Sequence, residues 1–137
     1  MPVSGYLVDT NHLSRLLNPQ HAVRIRLLTA IEQGDLFYIL LPIITETVAG
    51  FSILPRAARN WVEWQTIRPS LGLLPLDESD ALNAARLQVL LRRRGRQLGT
   101  VDALIATAAL RYDLTLLTTD GDFAPVPTLR RETWVSR

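Results

Sequence analysis

The sequence predicts an α/β fold: a three-layer sandwich whose central parallel sheet of four to five strands is flanked by helices. Three observations lead there. Strand-like and helix-like segments alternate along the chain, and the strand-like runs are continuously apolar instead of alternating in polarity. Acidic residues also recur where a strand gives way to a helix or loop, the edge at which such sheets bind ligands. A length of 137 residues suits one domain, spanning 1–137, with a single sizeable core.

Tyr6–Val8 reads as a short buried strand, followed by an apolar-periodic stretch over His12–Leu17. Asn18 and Pro19 fit N-cap and N1 of a helix running to about Gln33, where Gly34 stops it. Leu36–Leu41 is a second buried strand, ended by Pro42. A helix from about Ile43 carries Glu46 and weakens near Gly50. Another covers Arg56 to Ile67, with Pro55 at its start and Pro69 beyond its end. Leu71–Leu74 is a third strand. Asp77 caps the next helix, with Asp80 at N3 in a capping-box arrangement, and the helix extends to about Arg94. Gly95 and Gly99 bracket a loop, Thr100 caps a helix to Tyr112, and Thr115–Thr118 forms a fourth strand. A short fifth strand falls near Thr128–Arg130. The chain contains no repeat, low-complexity segment or flexible linker.

Composition narrows the chemistry. Apolar residues make up 47% and charged residues 20%, which is ordinary for a globular domain. No apolar run reaches the 18 or so residues of a membrane span, and no basic segment leads into an apolar stretch at the start. A cytoplasmic protein with neither membrane association nor a secretory signal is expected. The absence of cysteine excludes disulfides, thiolate metal sites and a cysteine nucleophile. All fifteen Lys+Arg residues are arginine, which removes Schiff-base chemistry and the P-loop lysine. Arginine instead offers a permanently charged fork matched to phosphate oxygens.

Asp9, Glu46, Asp102 and Asp120 carry the functional argument. They occur in YLVDTN, LLPIITETVAG, GTVDALIATAAL and LTLLTTDGDF, each at or near a strand-to-helix or strand-to-loop junction. Taken singly, each has an ordinary explanation. Asp9 can be an N-cap, Glu46 and Asp102 can complement a helix dipole, and Asp120-Gly121 can form a turn. Gathered at one sheet edge they repel, by about 4 kcal/mol per pair at roughly 4 Å and an effective dielectric near 20. Hard cations relieve that repulsion, and an all-oxygen donor set selects Mg²⁺ or Mn²⁺, as one ion or two. This pattern points to metal-dependent phosphodiester cleavage. Of Asp120 and Asp122, one forms the turn and the other serves as a ligand. Asp120 stands nearer the strand end and is the primary candidate, with Asp122 contributing through water. With the four acids set aside, fifteen arginines face nine acidic residues, a balance of about +6 that suits a polyanion.

These residues resemble the PIN-domain ribonucleases, and within them the VapC-type toxins of prokaryotic toxin–antitoxin pairs. The likeness covers nearly the whole chain and is most specific at YLVDTN and VDALIATAALRYDLTLLTTDGDF. The resemblance implies a metal-ligand role for Asp9, Glu46, Asp102 and Asp120, a supporting role for Asn11 and Thr118, and an auxiliary role for Asp122. It further implies cleavage of RNA and inhibition by a small cognate antitoxin. A homodimer is also expected.

Four carboxylates and two hard cations about 4 Å apart suffice for hydrolysis without a general-base histidine. His12 is expected on a helix surface. Water attack leaves 5′-phosphate and 3′-hydroxyl ends without using the ribose 2′-OH, so preference for RNA must come from shape and binding. Arg92, Arg93, Arg94 and Arg96 are the candidates for phosphate contact, although cations at a helix C-terminus are also stabilised by its dipole. Phe51, Leu54, Trp61 and Trp64 are candidates for an apolar groove that a partner covers. Other enzyme classes fail on particular residues. A phosphoacceptor receiver needs a lysine, an aspartyl-phosphate phosphatase needs Asp-x-Asp where Asp9-Thr10-Asn11 stands, and no Gly-x-Gly-x-x-Gly follows any strand. The alternative from a different class is a catalytically silent PIN-like module that binds RNA or protein.

Overall fold

The computed structural model describes residues 5–135. Its centre is a five-stranded, wholly parallel sheet in the order β3-β2-β1-β4-β5, flanked by six α-helices, as the alternating pattern predicts. The strands are β1 (Gly5–Val8), β2 (Leu36–Ile39), β3 (Gly72–Leu73), β4 (Thr115–Leu117) and β5 (Arg131–Glu132). The helices are α1 (Thr10–Leu13), α2 (Ala22–Glu32), α3 (Leu41–Ser52), α4 (Ala57–Ile67), α5 (Glu78–Arg93) and α6 (Thr100–Arg111). A 3₁₀ turn, Ser14–Leu17, extends α1. Among the described residues, no helix is long and apolar enough to cross a membrane.

The continuously apolar strands are buried as expected. Leu7, Val8, Phe37, Ile39, Leu116 and Leu117 form the middle of the core, closed by Leu13, Leu16, Leu27 and Ile43 from the helices. The small side chains of ALIATAAL let α6 lie close, with Ala103, Ile105, Ala106, Ala108 and Ala109 all buried. Arg111 of α6 forms an ion pair with the buried Asp80 at the start of α5, locking the two helices together.

Several boundaries differ from the sequence reading, each for a local reason. Asn18 does not cap α2. Its side-chain oxygen accepts from the Gln20 N–H at 3.0 Å and closes a turn, so the helix begins only at Ala22 with His21 as its cap. Pro42 does not end a strand directly, because β2 stops at Ile39 and the proline lies in the first turn of α3, where a missing N–H costs nothing. Gly99, not Thr100, precedes α6, and the Thr100 hydroxyl instead accepts from Gln88 at 3.3 Å. Asp102 therefore stands at N3. The fifth strand is Arg131–Glu132, three residues after the expected start, because Leu116 and Thr118 donate to the Arg130 and Glu132 carbonyls. The capping box of Asp77 and Asp80 forms as read. Helices α2 and α5 are followed by Gly34 and Gly95 at positive φ, the left-handed stop their sequences call for.

Candidate active site

Strand order dictates where a ligand can sit. From β1 the chain moves to β2 and then β3 on one side, and returns to place β4 and β5 on the other. The direction of winding therefore reverses between β1 and β4, which opens a crevice at their carboxyl ends. Helix α6 leads into β4, so it runs antiparallel to the strand and its N-terminus returns to the same edge. The acids separated by more than 100 residues in sequence meet there.

Asp9 is the most constrained of them. The β1–β4 register sets Val8 opposite Leu117, and the Asp9 N–H continues the ladder by donating to the Leu117 carbonyl at 3.0 Å. This places Asp9, 6% exposed, beside Thr118. One carboxylate oxygen accepts from the Thr10 N–H at 2.8 Å as the N-cap of α1. The other accepts from the Thr118 hydroxyl at 2.8 Å and from the Asn11 amide at 3.3 Å. The Thr118 oxygen in turn accepts from Asn11 at 3.2 Å and from the Asp120 N–H at 3.0 Å. Asn11 and Thr118 thus hold the first carboxylate to the turn that carries the last ones. The capping explanation of Asp9 is correct, and the same side chain also faces the crevice network.

Glu46 lies in the second turn of α3 and is exposed, joined to Asp9 through Thr10, whose hydroxyl donates to Glu46 at 2.9 Å. One carboxylate oxygen from each of Asp102, Asp120 and Asp122 lies within 4.8 Å of the others. Asp122 thus belongs spatially with Asp102 and Asp120, while Asp9 and Glu46 are bridged by Thr10, which donates to Asp9 through its N–H and to Glu46 through its hydroxyl. Asp120 also forms the turn, accepting from the Asp122 N–H at 2.8 Å. The electrostatics tie the groups together. Burial and the charges of Asp120, Asp9, Glu46 and Asp122 push the Asp102 carboxyl up to about 6. Burial also raises Asp9, against the hydrogen bonds from Thr118 and Thr10 that lower it. An all-carboxylate donor set without histidine or sulfur fits a hard divalent cation.

The other candidates lie further out. Arg92, Arg93, Arg94 and Arg96 are all exposed at the end of α5 and in the following turn. Arg92 and Arg96 line a pocket of about 320 Å³ with Gly99 and Thr100, at the start of the helix that bears Asp102. The apolar groove needs correction. Phe51 and Trp64 are buried in the core, because α3 and α4 pack against each other along that face, and only Leu54 and Trp61 of the four are exposed. Ile53 and Val62 are also exposed apolar residues of this hairpin. On the inner side of this hairpin a cleft of about 730 Å³ opens next to Thr10 and Glu46, with Arg15, Arg56 and Arg59 among its lining residues. The sequence reading did not single out these three arginines, which are scattered singly.

His12 does not lie on a helix surface. It is fully buried, and its two ring nitrogens contact Asn11 Oδ1 at 2.7 Å and the Trp134 N–H at 2.9 Å. The spacing His12, Leu13, Leu16, Leu17 carried the signal, since residues four apart share a helical face.

Fold and site together define a class: parallel α/β proteins with a carboxylate-lined crevice at the switch point of the sheet. The family model described as PIN domain matches residues 6–129. The chain belongs to the PIN domain family. Its structure is similar to VapBC2 from Rickettsia felis bound to a promoter DNA fragment, with TM-score 0.83, 21% identity, and 96% of this chain and 99% of that chain covered. DNA-bound VapBC from Salmonella typhimurium gives TM-score 0.79 at 22% identity, covering 97% of this chain and 100% of that one. VapC20 from Mycobacterium tuberculosis, described as a Sarcin-Ricin loop cleaving toxin, gives TM-score 0.62 at 16% identity, covering 89% and 95%. No curated protein matches the sequence.

Proposed function

We propose that this protein is a metal-dependent endoribonuclease and the toxin of a toxin–antitoxin pair, acting in the cytoplasm as a single nuclease domain. The observation that carries the reading is the convergence of Asp9, Glu46, Asp102, Asp120 and Asp122 on one crevice, where burial, together with the charges of the other four, raises Asp102 to about 6. Such an arrangement destabilises the fold unless a cation occupies it. Asp102, Asp120 and Asp122 would hold one Mg²⁺ or Mn²⁺, with Asp9 and Glu46 available for the same ion or a second. A divalent cation there supplies charge for the phosphoryl oxygens and acidifies water. The protein's own part is orientation: Thr118, Asn11 and Thr10 fix Asp9, and Thr10 also fixes Glu46. Arg92 and Arg96, which line a pocket with Gly99 and Thr100 at the start of α6, would take phosphates of the RNA.

Incubation with structured RNA and Mg²⁺, followed by mapping of the new ends, is expected to give discrete cuts with 5′-phosphate and 3′-hydroxyl termini. Binding of RNA without any cut would instead favour a silent module. A 2′,3′-cyclic phosphate would mean attack by the ribose hydroxyl and a different chemistry.

The partner reading is supported by the neighbours, which are toxin–antitoxin complexes, and by the exposed Ile53, Leu54, Trp61 and Val62. We assign these exposed apolar residues of the α3–α4 hairpin to the antitoxin. Trp61→Ala is expected to weaken capture of the co-expressed antitoxin by about 2 kcal/mol, the loss common for an aromatic anchor, in protein that stays folded at a somewhat lower melting temperature, since the ring also packs against Phe51 at 6.2 Å. Undiminished capture would move the interface elsewhere. Trp64 is unsuitable for this test because its loss would open the core.

A further inference from the structure

We propose that His12, held by the C-terminal segment through Trp134, is a positioning residue that fixes the Asn11 amide and, through it, Asp9. The inference rests on the nuclease reading for its consequence and on geometry for its substance.

Hydrogen-bond accounting determines every proton in the chain of contacts. The Trp134 backbone N–H can only donate, so His12 Nε2, at 2.9 Å, must carry a lone pair. The proton of the neutral ring is then on Nδ1, which donates to Asn11 Oδ1 at 2.7 Å. The Thr119 backbone N–H, also only a donor, points to the same Asn11 oxygen at 3.1 Å. Two independent donors therefore fix which end of the Asn11 amide is oxygen. The NH₂ end is left facing Asp9 at 3.3 Å and Thr118 at 3.2 Å. A flipped amide would set its oxygen against the Asp9 carboxylate and its NH₂ against two donors. Burial, with Arg15 nearby, lowers His12 to about 4, so the ring is neutral around pH 7.

The far end of the chain of contacts is equally well anchored. Trp134 packs edge-on against Tyr6 at 5.3 Å and Phe37 at 5.8 Å, and the Arg26 guanidinium lies 4.0 Å from the Trp134 ring centroid. The residues after β5 therefore return across the strands β1 and β2 and set the tautomer of a histidine three residues from Asp9. Nothing in hydrolysis requires a histidine here. What the position requires is a donor toward Asn11 and an acceptor toward Trp134, and a neutral imidazole provides both.

Two substitutions separate these functions. In His12→Asn the side-chain amide nitrogen falls near Nδ1, which keeps the donor to Asn11 and abandons Trp134. In His12→Gln the carbonyl falls near Nε2, which keeps the acceptor for Trp134 and abandons Asn11. The inference expects His12→Asn to bind Mn²⁺ within about threefold of wild type, and His12→Gln to bind about tenfold more weakly, the lower end of the usual loss for an outer-shell partner. Equal affinities in the two variants overturn it and leave His12 a packing residue. Nitrogen NMR of the wild-type ring, which needs no variant, is expected to show Nδ1 protonated and Nε2 bare, and the opposite tautomer also overturns the inference. If wild-type protein binds no Mn²⁺ the nuclease reading falls. The positioning is then decided by the Asn11 side-chain amide resonances, expected unchanged in His12→Asn and shifted in His12→Gln.

Discussion

Asp102→Asn is expected to abolish RNA cleavage, by roughly 10³-fold or more, while raising the melting temperature of the metal-free protein at pH 7. The two effects have one cause. Asp102 titrates near 6 in the fold against an ordinary 3.8, so the native state holds its proton more tightly than the unfolded chain does. Stability from this group is present below the unfolded value and is lost as pH rises through the folded one. At neutral pH the charge is therefore a burden, on the order of 1 kcal/mol once solvent screening of a partly exposed group is allowed for. Replacement by asparagine should raise the melting temperature by about 2–4 °C at pH 7, and the gain should shrink toward pH 4. Thermal scans across pH on both proteins, with cleavage assays alongside, check this. A variant that still cuts near the wild-type rate would remove Asp102 from the site. One that loses activity and stability together would make its role structural.

Divalent cations should produce the converse. At a hundredfold excess over its dissociation constant, a bound ion adds about 2.7 kcal/mol to stability, so Mg²⁺ or Mn²⁺ should raise the melting temperature by several degrees. The rise should be largest above pH 6 and fade as Asp102 becomes protonated, because a carboxyl must lose its proton to bind an ion. Excess EDTA should reverse the shift and stop cleavage. Ca²⁺ should reproduce the shift without fast hydrolysis, since it tolerates looser geometry and acidifies water less. Full cleavage in EDTA would end the metal mechanism.

The sheet was legible in the sequence because both its signals are local. Apolar runs such as LFYI and TLL fix strands, and glycines such as Gly34 and Gly95 fix helix ends. The errors have a different origin. Asn18 resembles a cap in sequence because capping and turn-closing use the same side-chain oxygen, and only the positions of later residues decide between them. Phe51 and Trp64 are ambiguous in sequence because a helical aromatic residue looks alike whether it meets a partner or its own core. The acids themselves were found by their places along the chain. Their grouping into Asp102 with Asp120 and Asp122, and Asp9 with Glu46, depends on tertiary distances that no spacing encodes. His12 shows the limit most clearly. Its helical spacing with Leu16 was visible, but its partner Trp134 lies 122 residues away.

The central place of β1, between β2 and β4, has a consequence for the order in which the crevice is assembled during synthesis. Asp9 leaves the ribosome first, but the strand that fixes it ends at Leu117 and the acids that complete its crevice are Asp120 and Asp122. Pairing β1 with β4 closes a loop of about a hundred residues, the kind of contact that forms late in folding. A nascent or truncated chain that stops before Thr115 therefore lacks both the partner strand of Asp9 and two of the clustered carboxylates. The carboxylate crevice is absent from every partly made copy and is assembled in one step, with the C-terminal segment.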